Sequence, residues 1–225
     1  MKQELVITKD GSHSISVPEL NATYHSMHGS IQESTHVFIN AGLNKLVAEK
    51  ESSEPISIFE MGLGTGLNVL LTYISAETLS NQIYYESAEA YPLKSELAVQ
   101  LNYCELSGRR DLKPVFTRIH SSEWNEPIAL SPGFLFKKNK TSLQQFQSDK
   151  KFDLIYYDAF APSAQPELWT IEIFNKLHSI LNQNGILVTY CSKGEVRRNM
   201  QAAGFKVEKI PGPLGKREMV RSFKK

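Results

Sequence analysis

The sequence predicts an α/β fold with a mostly parallel sheet, on three observations. Apolar runs of strand length alternate with amphipathic segments through most of the 225 residues. A glycine turn joins one such run to one such segment at residues 59–74, and a second apolar run at 152–157 ends in an acid, Asp158. Strands that alternate with helices favour parallel pairing, because each helix serves as the crossover. With 41% hydrophobic and 22% charged residues the composition is that of a globular protein, long enough for one main core plus a small appendage.

Taken in order, residues 3–17 alternate apolar and polar on both sides of Asp10-Gly11, a hairpin signal. Ile31, Val37, Phe38, Leu43, Leu46 and Val47 then share a helical face from about Ser34 onward. Residues 1–50 are therefore expected to form a hairpin-and-helix appendage, and 51–225 the main domain. His25, His28 and His36 lie close together, but no Cys or Asp joins them at ligand spacing, so no metal is read.

At residues 59–66 Glu60, Gly62, Gly64 and Gly66 follow an apolar run and precede Leu67, Leu70, Leu71 and Ile74 on one helical face. Glycines suit a turn where a ligand meets bare backbone, and the helix start presents N–H groups to it. The spacing is G-x-G-x-G with an acid two residues earlier, not the dinucleotide G-x-G-x-x-G. That favours S-adenosyl-L-methionine, which has no pyrophosphate to seat.

Residues 82–87 predict the next strand. Glu89 lies where Rossmann-like folds place a carboxylate on ribose hydroxyls, with Glu86 as the competing candidate. Residues 92–101 predict a short helix opened by Pro92, residues 114–120 a strand, and residues 133–138 a second apolar segment leading into the basic run Lys137-Lys138-Asn139-Lys140. A strand in this region should bring a polar residue to the adenine, in a register the sequence does not set. The run at 152–157 is a strand that delivers Asp158 to the ligand side of the sheet. Residues 171–185 predict a helix closed by glycine, 185–191 a strand, 193–205 a helix again closed by glycine, and 205–210 and 218–223 a terminal strand pair. Together these give a Rossmann-like, seven-stranded, mostly parallel sheet with one antiparallel edge, as in class I S-adenosyl-L-methionine-dependent methyltransferases.

The formal net charge is +1, yet it divides into +7 over residues 193–225 and −6 over the rest. A basic end of this kind can bind phosphate, although a solvated basic tail is the commoner explanation. Cys104 and Cys191 show no paired spacing, so neither a disulfide framework nor a zinc site is indicated, and a reducing cytoplasm fits. No window approaches about 18 consecutive apolar residues and the N-terminus lacks an apolar core, so neither a membrane span nor an export signal is read.

These residues resemble the methyltransferase domain of the bifunctional tRNA wobble-uridine modification proteins of the MnmC family. The resemblance is carried by Tyr24-His25-Ser26, Glu33-Ser34, His36-Val37-Phe38 and the block from Phe59 to Asn68. It continues through Asp158-Ala159-Phe160-Ala161-Pro162, Pro166-Glu167-Leu168-Trp169, Gly194, Val196-Arg197-Arg198, Gly204-Phe205 and Pro211-Gly212-Pro213. Gly215-Lys216-Arg217-Glu218-Met219 completes it. Better-known members carry a second, FAD-dependent oxidase domain, for which 225 residues leave no room, so a stand-alone form is expected. The resemblance then implies methylation of 5-aminomethyl-2-thiouridine to 5-methylaminomethyl-2-thiouridine at the tRNA wobble position, after a separate upstream enzyme. Residues 109–151 depart from the family's pattern as a longer basic insertion.

Methyl transfer from a sulfonium to an amine needs positioning and an unprotonated amine, and no metal. Gly62, Gly64 and Gly66 are expected to receive the cofactor, Glu60 to brace the turn or the cofactor's ammonium, and Glu89 to hold the ribose. Asp158 is the candidate acceptor for the amine or, alternatively, a cofactor ligand. Tyr24, His25 and Ser26 are expected to cover the substrate, with Phe160 or Tyr190 stacking on a flipped base. Lys193, Arg197, Arg198, Lys216 and Arg217 are the candidate tRNA phosphate contacts. Rival readings are a small-amine or polyamine transferase on the same sheet, a non-catalytic subunit that binds cofactor or tRNA, and an NAD-dependent oxidoreductase, which the glycine spacing disfavours.

Overall fold

The computed structural model describes residues 2–50 and 54–225. The boundary drawn above between residues 1–50 and 51–225 abuts residues 51–53, outside the described residues. The chain opens with a three-stranded antiparallel sheet, β1 (Glu4–Ile7), β2 (His13–Val17) and β3 (Ala22–Thr23). The Asp10-Gly11 turn joins β1 to β2 as the alternation predicts. Gly11 takes φ +82°, and Asp10 Oδ1 accepts from Ser12 N at 3.0 Å.

The predicted helix begins earlier than Ser34. α1 (Ser30–Ser34) runs on through a π-helical stretch, Thr35–Asn44, into α2 (Lys45–Val47). Val37, Phe38 and Leu43 of that stretch are buried in one cluster with Ile58, Leu154 and Val188 of the main sheet. The bare Cα of Gly42 permits this approach, since a Cβ there would stand 3.1 Å from Val188.

The main sheet is built from β4 (Ile56–Met61), α3 (Leu67–Ala76), β5 (Ile83–Glu89), α4 (Ser95–Ala98), α5 (Tyr103–Leu106) and α6 (Lys113–Ser121). There follow β6 (Pro127–Ser131), β7 (Phe134–Lys140), β8 (Phe152–Tyr157), α7 (Ile171–Ile180), β9 (Leu181–Thr189), α8 (Gly194–Ala202), β10 (Phe205–Pro211) and β11 (Glu218–Lys224). Its order is β10-β11-β9-β8-β4-β5-β7-β6. The five inner strands β9, β8, β4, β5 and β7 run parallel. Alternate residues of each strand feed the two faces. Ile58 joins Leu70 and Phe116 on one, while Phe59 joins Phe174, Leu177, Val196 and Met200 on the other. Helices thus cover both faces, as burial of a parallel sheet requires.

Several expectations are corrected. The sheet has eight strands rather than seven, and both edges are antiparallel, because β6 folds back on β7 as a hairpin. Residues 114–120 are not a strand but most of α6. Phe116 and Ile119 fall one helical turn apart on its buried face, and Pro114 sits in its first turn. The basic run Lys137-Lys138-Asn139-Lys140 is the end of β7, paired in parallel with β5. The helix expected over 171–185 stops at Ile180, because buried Leu181 already pairs with Phe152. Residues 182–185 then bulge out of register, with Asn184 at φ +62° and Asn182 Nδ2 donating to Asp153 Oδ1 at 2.9 Å. The helix expected over 92–101 is shorter, four residues long, and starts after Pro92.

Lys138 shows why β7 tolerates lysines. Its side chain is 1% exposed, and Nζ donates to the carbonyls of Ile119 at 2.9 Å and His120 at 2.5 Å while lying 4.6 Å from the Trp124 ring centroid. It therefore satisfies carbonyls of the last turn of α6, which have no partner within the helix. Replacing Lys138→Met keeps the stem and removes the donor. We expect a loss of about 2–3 kcal/mol, read as a lower urea midpoint at unchanged slope. An unchanged midpoint would remove the capping role.

Candidate functional site

A cleft opens at the carboxyl ends of β4, β5 and β8. Tyr24, Gly62, Gly64, Glu89, Asp158 and Phe160 all contribute to its walls. Parallel pairing brings these ends together: Met61 stands opposite Ala88 on one side and Tyr157 on the other. The chain order reverses here, β4 being followed outward by β5 on one side and by β8 on the other, which is where open α/β sheets bind ligands.

The loop after β4 turns through three positive φ angles, +88° at Gly62, +49° at Gly64 and +72° at Gly66. A Cβ at Gly62 would lie 3.2 Å from the Asp158 carbonyl oxygen, and one at Gly64 would lie 3.0 Å from the Tyr24 ring, so both sites need glycine for space as well as for conformation. Gly62 and Gly64 line the cleft. Gly66 lies outside its wall; it precedes α3 and rests on His120, whose Nε2 would be 3.1 Å from a Cβ there.

Glu89 and Glu86 separate clearly. Glu89, half-buried at the end of β5, lines the cleft and accepts from Gly64 N at 3.0 Å and from Tyr91 N at 2.7 Å. Burial raises its pKa above the usual carboxylate value, against the pull of those backbone donors. Glu86 is buried away from the cleft, held by Tyr84 Oη at 2.7 Å and Asn139 Nδ2 at 2.9 Å, and it serves the sheet.

Glu60 is fully buried beneath the loop rather than in the cleft wall. Its Oε1 accepts from Asn68 Nδ2 at 2.9 Å, while Oε2 has no partner among the described residues. Burial pushes its pKa well above the ordinary range. Asp158 follows β8 directly, and its Oδ2 accepts from the same Asn68 Nδ2 at 3.0 Å. Burial first, then the negative charge of Glu33, push its pKa up to about 7.

The segment before α1 covers this end of the cleft. The Tyr24 ring meets Phe160 edge to face with centroids 5.2 Å apart. His25 is buried, within 3.3 Å of Ser14 Oγ and 3.5 Å of Thr65 Oγ1, and burial lowers its pKa to about 4. Ser26 lines nothing; its N–H donates to Glu33 Oε2 at 2.7 Å and its hydroxyl accepts from His28 N. The nearby histidines diverge, His36 Nε2 meeting the Pro211 carbonyl at 2.9 Å and His28 packing on Gly215. Among the described residues no group of three or more His, Cys, Asp or Glu is disposed to hold a metal.

The basic residues are held in different ways. Lys216 is engaged, 2.6 Å from Glu33 Oε1 and 3.9 Å from the Tyr190 ring centroid, so it ties the β10–β11 loop to the cleft cover. Tyr190 is consequently roofed by a cation, and its hydroxyl donates to the Ala159 carbonyl at 2.8 Å; Phe160 alone of the two aromatics lines the cleft. Lys193, Arg198 and Arg217 are exposed, whereas Arg197 is half-buried with Nε donating to the Ser192 carbonyl at 3.2 Å.

Sequence reading missed several wall residues. Ser142, Leu143 and Gln144, just past β7, line the cleft from the region where an adenine contact is expected. Asn68 is visible inside the glycine block but signals nothing until β8 is placed beside β4. Glu33 likewise shows its importance only through its bonds to Ser26 and Lys216.

Comparison with known proteins agrees with this architecture. Residues 133–225 match a family described as S-adenosyl-L-methionine-dependent methyltransferase. The chain is 31% identical over 211 residues to the tRNA 5-methylaminomethyl-2-thiouridine biosynthesis bifunctional protein MnmC of Azoarcus sp. (strain BH72), covering 88% of this chain and 32% of that protein. It is 29% identical over 228 residues to the protein of the same name from Cupriavidus metallidurans, covering 96% of this chain and 33% of the relative. The chain thus spans about a third of the length of the curated relatives it matches. Among solved structures, MNMC2 from Aquifex aeolicus superposes with a TM-score of 0.77 at 24% identity, covering 100% of this chain and 70% of that one, which shows a shared fold. Among the described residues no helix is long and apolar enough to cross a membrane.

His120 supports the glycine loop from below, with Nε2 3.1 Å from the Thr65 carbonyl, and burial lowers its pKa to about 4. Both His25 and His120 should stay neutral at pH 6, half a unit below the unperturbed imidazole value of about 6.5. Ring nitrogen shifts followed by NMR should show no protonation until close to pH 4. Titration of either ring near pH 6.5 would contradict its buried placement.

Proposed function

We propose that this MnmC-like methyltransferase domain transfers a methyl group from S-adenosyl-L-methionine to the primary amine of 5-aminomethyl-2-thiouridine at the tRNA wobble position, giving 5-methylaminomethyl-2-thiouridine. The observation that carries the reading is Asp158: a carboxylate with a pKa near 7 that shares one cleft with the glycine loop. Such a group takes a proton readily at neutral pH. The names of the relatives supply the nucleoside.

The residues fit the cofactor. Bare backbone at Gly62 and Gly64 admits close approach, and Glu89 offers carboxylate lone pairs beyond those occupied by backbone donors. Leu143 supplies an apolar surface on the same wall, and Ser142 and Gln144 supply polar groups suited to a base edge. When bound, S-adenosyl-L-methionine supplies a methyl group already activated on a sulfonium, so the protein's task is to place the amine and receive its proton. Asp158 does both as hydrogen-bond acceptor and then as base. A carboxylate beside an amine also favours the ammonium form, which cannot attack. Lys216, whose charge lowers the Asp158 pKa, partly offsets that field. Neutral His25 adds no charge of its own. Tyr24 and Phe160 offer an aromatic wall for an extruded base.

Lys193, Arg197, Arg198 and Arg217 meet tRNA phosphates, while Lys216 holds the cover through Glu33. The aminomethyl group has to be on the nucleoside before this methylation, so an upstream enzymatic activity must supply it. A reducing cytoplasm suits Cys104 and Cys191, both buried and free.

Replacing Asp158→Ala should lower methyl transfer by at least about 100-fold, with cofactor affinity kept within a few-fold. Mass analysis of wobble nucleosides, after incubating aminomethyl-bearing tRNA with labelled cofactor, reads this directly. Turnover near wild type would remove Asp158 from the chemistry. The exposed cations give a second expectation: the triple variant K193E/R198E/R217E should weaken tRNA binding and flatten its dependence on salt, the slope falling by about 0.9 for each phosphate no longer neutralised. A salt-insensitive wild-type affinity would count against any phosphate-binding surface.

A further inference from the structure

Asn68 is the second residue of α3 and is 3% exposed. Its Nδ2 donates to Glu60 Oε1 at 2.9 Å and to Asp158 Oδ2 at 3.0 Å, so both amide hydrogens are committed to carboxylates from two different strands. Among the described residues no other hydrogen bond reaches the Asp158 carboxylate. Asn68 Oδ1 is buried without a partner, and the residue forms part of the cleft wall. A side chain that leaves its own acceptor unsatisfied to bridge two buried acids carries a cost, which structural packing alone does not explain.

We propose that Asn68 is a positioning residue for methyl transfer: its amide fixes the Asp158 carboxylate at the cleft wall and favours the ionised form that receives the amine's proton. The inference rests on Asp158 being that acceptor. The other groups facing Asp158 cannot do this. Glu33, from α1, opposes ionisation; Glu60, on β4, is itself held up by burial; Tyr85, on β5, and Tyr190, beyond β9, have hydroxyls pushed far above their ordinary range and stay neutral. Lys216, from the β10–β11 loop, helps through charge, but its ammonium is bonded to Glu33. Among the described residues Asn68 is thus the one neutral donor that both orients the carboxylate and counters its burial. An aspartate at 68 would add a third acid without a hydrogen to give, so the amide is the chemically required group.

The test uses Asn68→Ala and the volume-conserving Asn68→Leu, so that a packing defect in one does not decide the outcome. A hydrogen bond to a charged group corresponds to about 1–2 pKa units. The acidic limb of the kcat/KM profile should move up by that amount in both variants. Activity at pH 7 should fall about tenfold or more and recover at pH 9 to within about threefold of wild type, with cofactor affinity unchanged within about threefold. Titration of the Asp158 carboxyl by carbon NMR, assigned through its loss in Asp158→Ala, should show the same upward shift without turnover. A loss uniform in pH with an unmoved limb, or an unmoved carboxyl titration, would overturn the proposal. Normal turnover by Asp158→Ala would instead overturn the base assignment, and the carboxyl titration would still report whether Asn68 sets its proton affinity.

Discussion

The parallel pairing of β4 with β5 on one side and β8 on the other is the constraint on which the site depends. Because Met61 registers with both Ala88 and Tyr157, the next residues of all three strands emerge at one level. Gly62 N reaches the Ala88 carbonyl at 2.9 Å, and Asp158 N reaches the Met61 carbonyl at 3.3 Å, so the ladders extend into the loops themselves. A slip by one residue would exchange the two faces of a strand and carry Glu89 or Asp158 away from the cleft. The hydrophobic layers on both faces oppose such a slip.

This arrangement crowds negative charge. Glu33, Glu60, Glu89 and Asp158 all surround the loop, and burial raises three of them, Glu60, Glu89 and Asp158. The fold answers each acid differently. Glu89 takes backbone N–H groups, Glu33 takes Lys216 and the Ser26 N–H, and Glu60 shares one amide with Asp158. An acidic cleft beneath a partly basic exterior suits the proposed acceptor, an amine carried on a polyanion.

The parts legible in the sequence were those set by local rules. Asp10-Gly11 announced its hairpin, the glycines announced a turn through positive φ, and the apolar run at 152–157 announced a buried strand. The middle of the chain was misread because Val115, Phe116 and Ile119 are β-formers by type while their spacing fits a helix as well. Which tendency prevails depends on what those residues pack against, namely Leu112, Tyr103 and Leu70 of the core. The lysines of β7 misled for the same reason: Lys138 is unexpected in a buried strand until the end of α6 is placed beside it as a set of acceptors.

By itself the sequence determined the α/β class, the strand–glycine–helix turn, the acid at the end of β8 and the resemblance that gives the chemistry its direction. These are properties of short segments, where backbone sterics and hydrophobic period act over a few residues. Only the tertiary structure decided that Glu89 rather than Glu86 faces the cleft, that Lys216 is bonded to Glu33, and that Asn68 bridges two acids. Each of those outcomes is a contact between elements distant along the chain, governed by register and burial, and no local pattern encodes which partner will arrive.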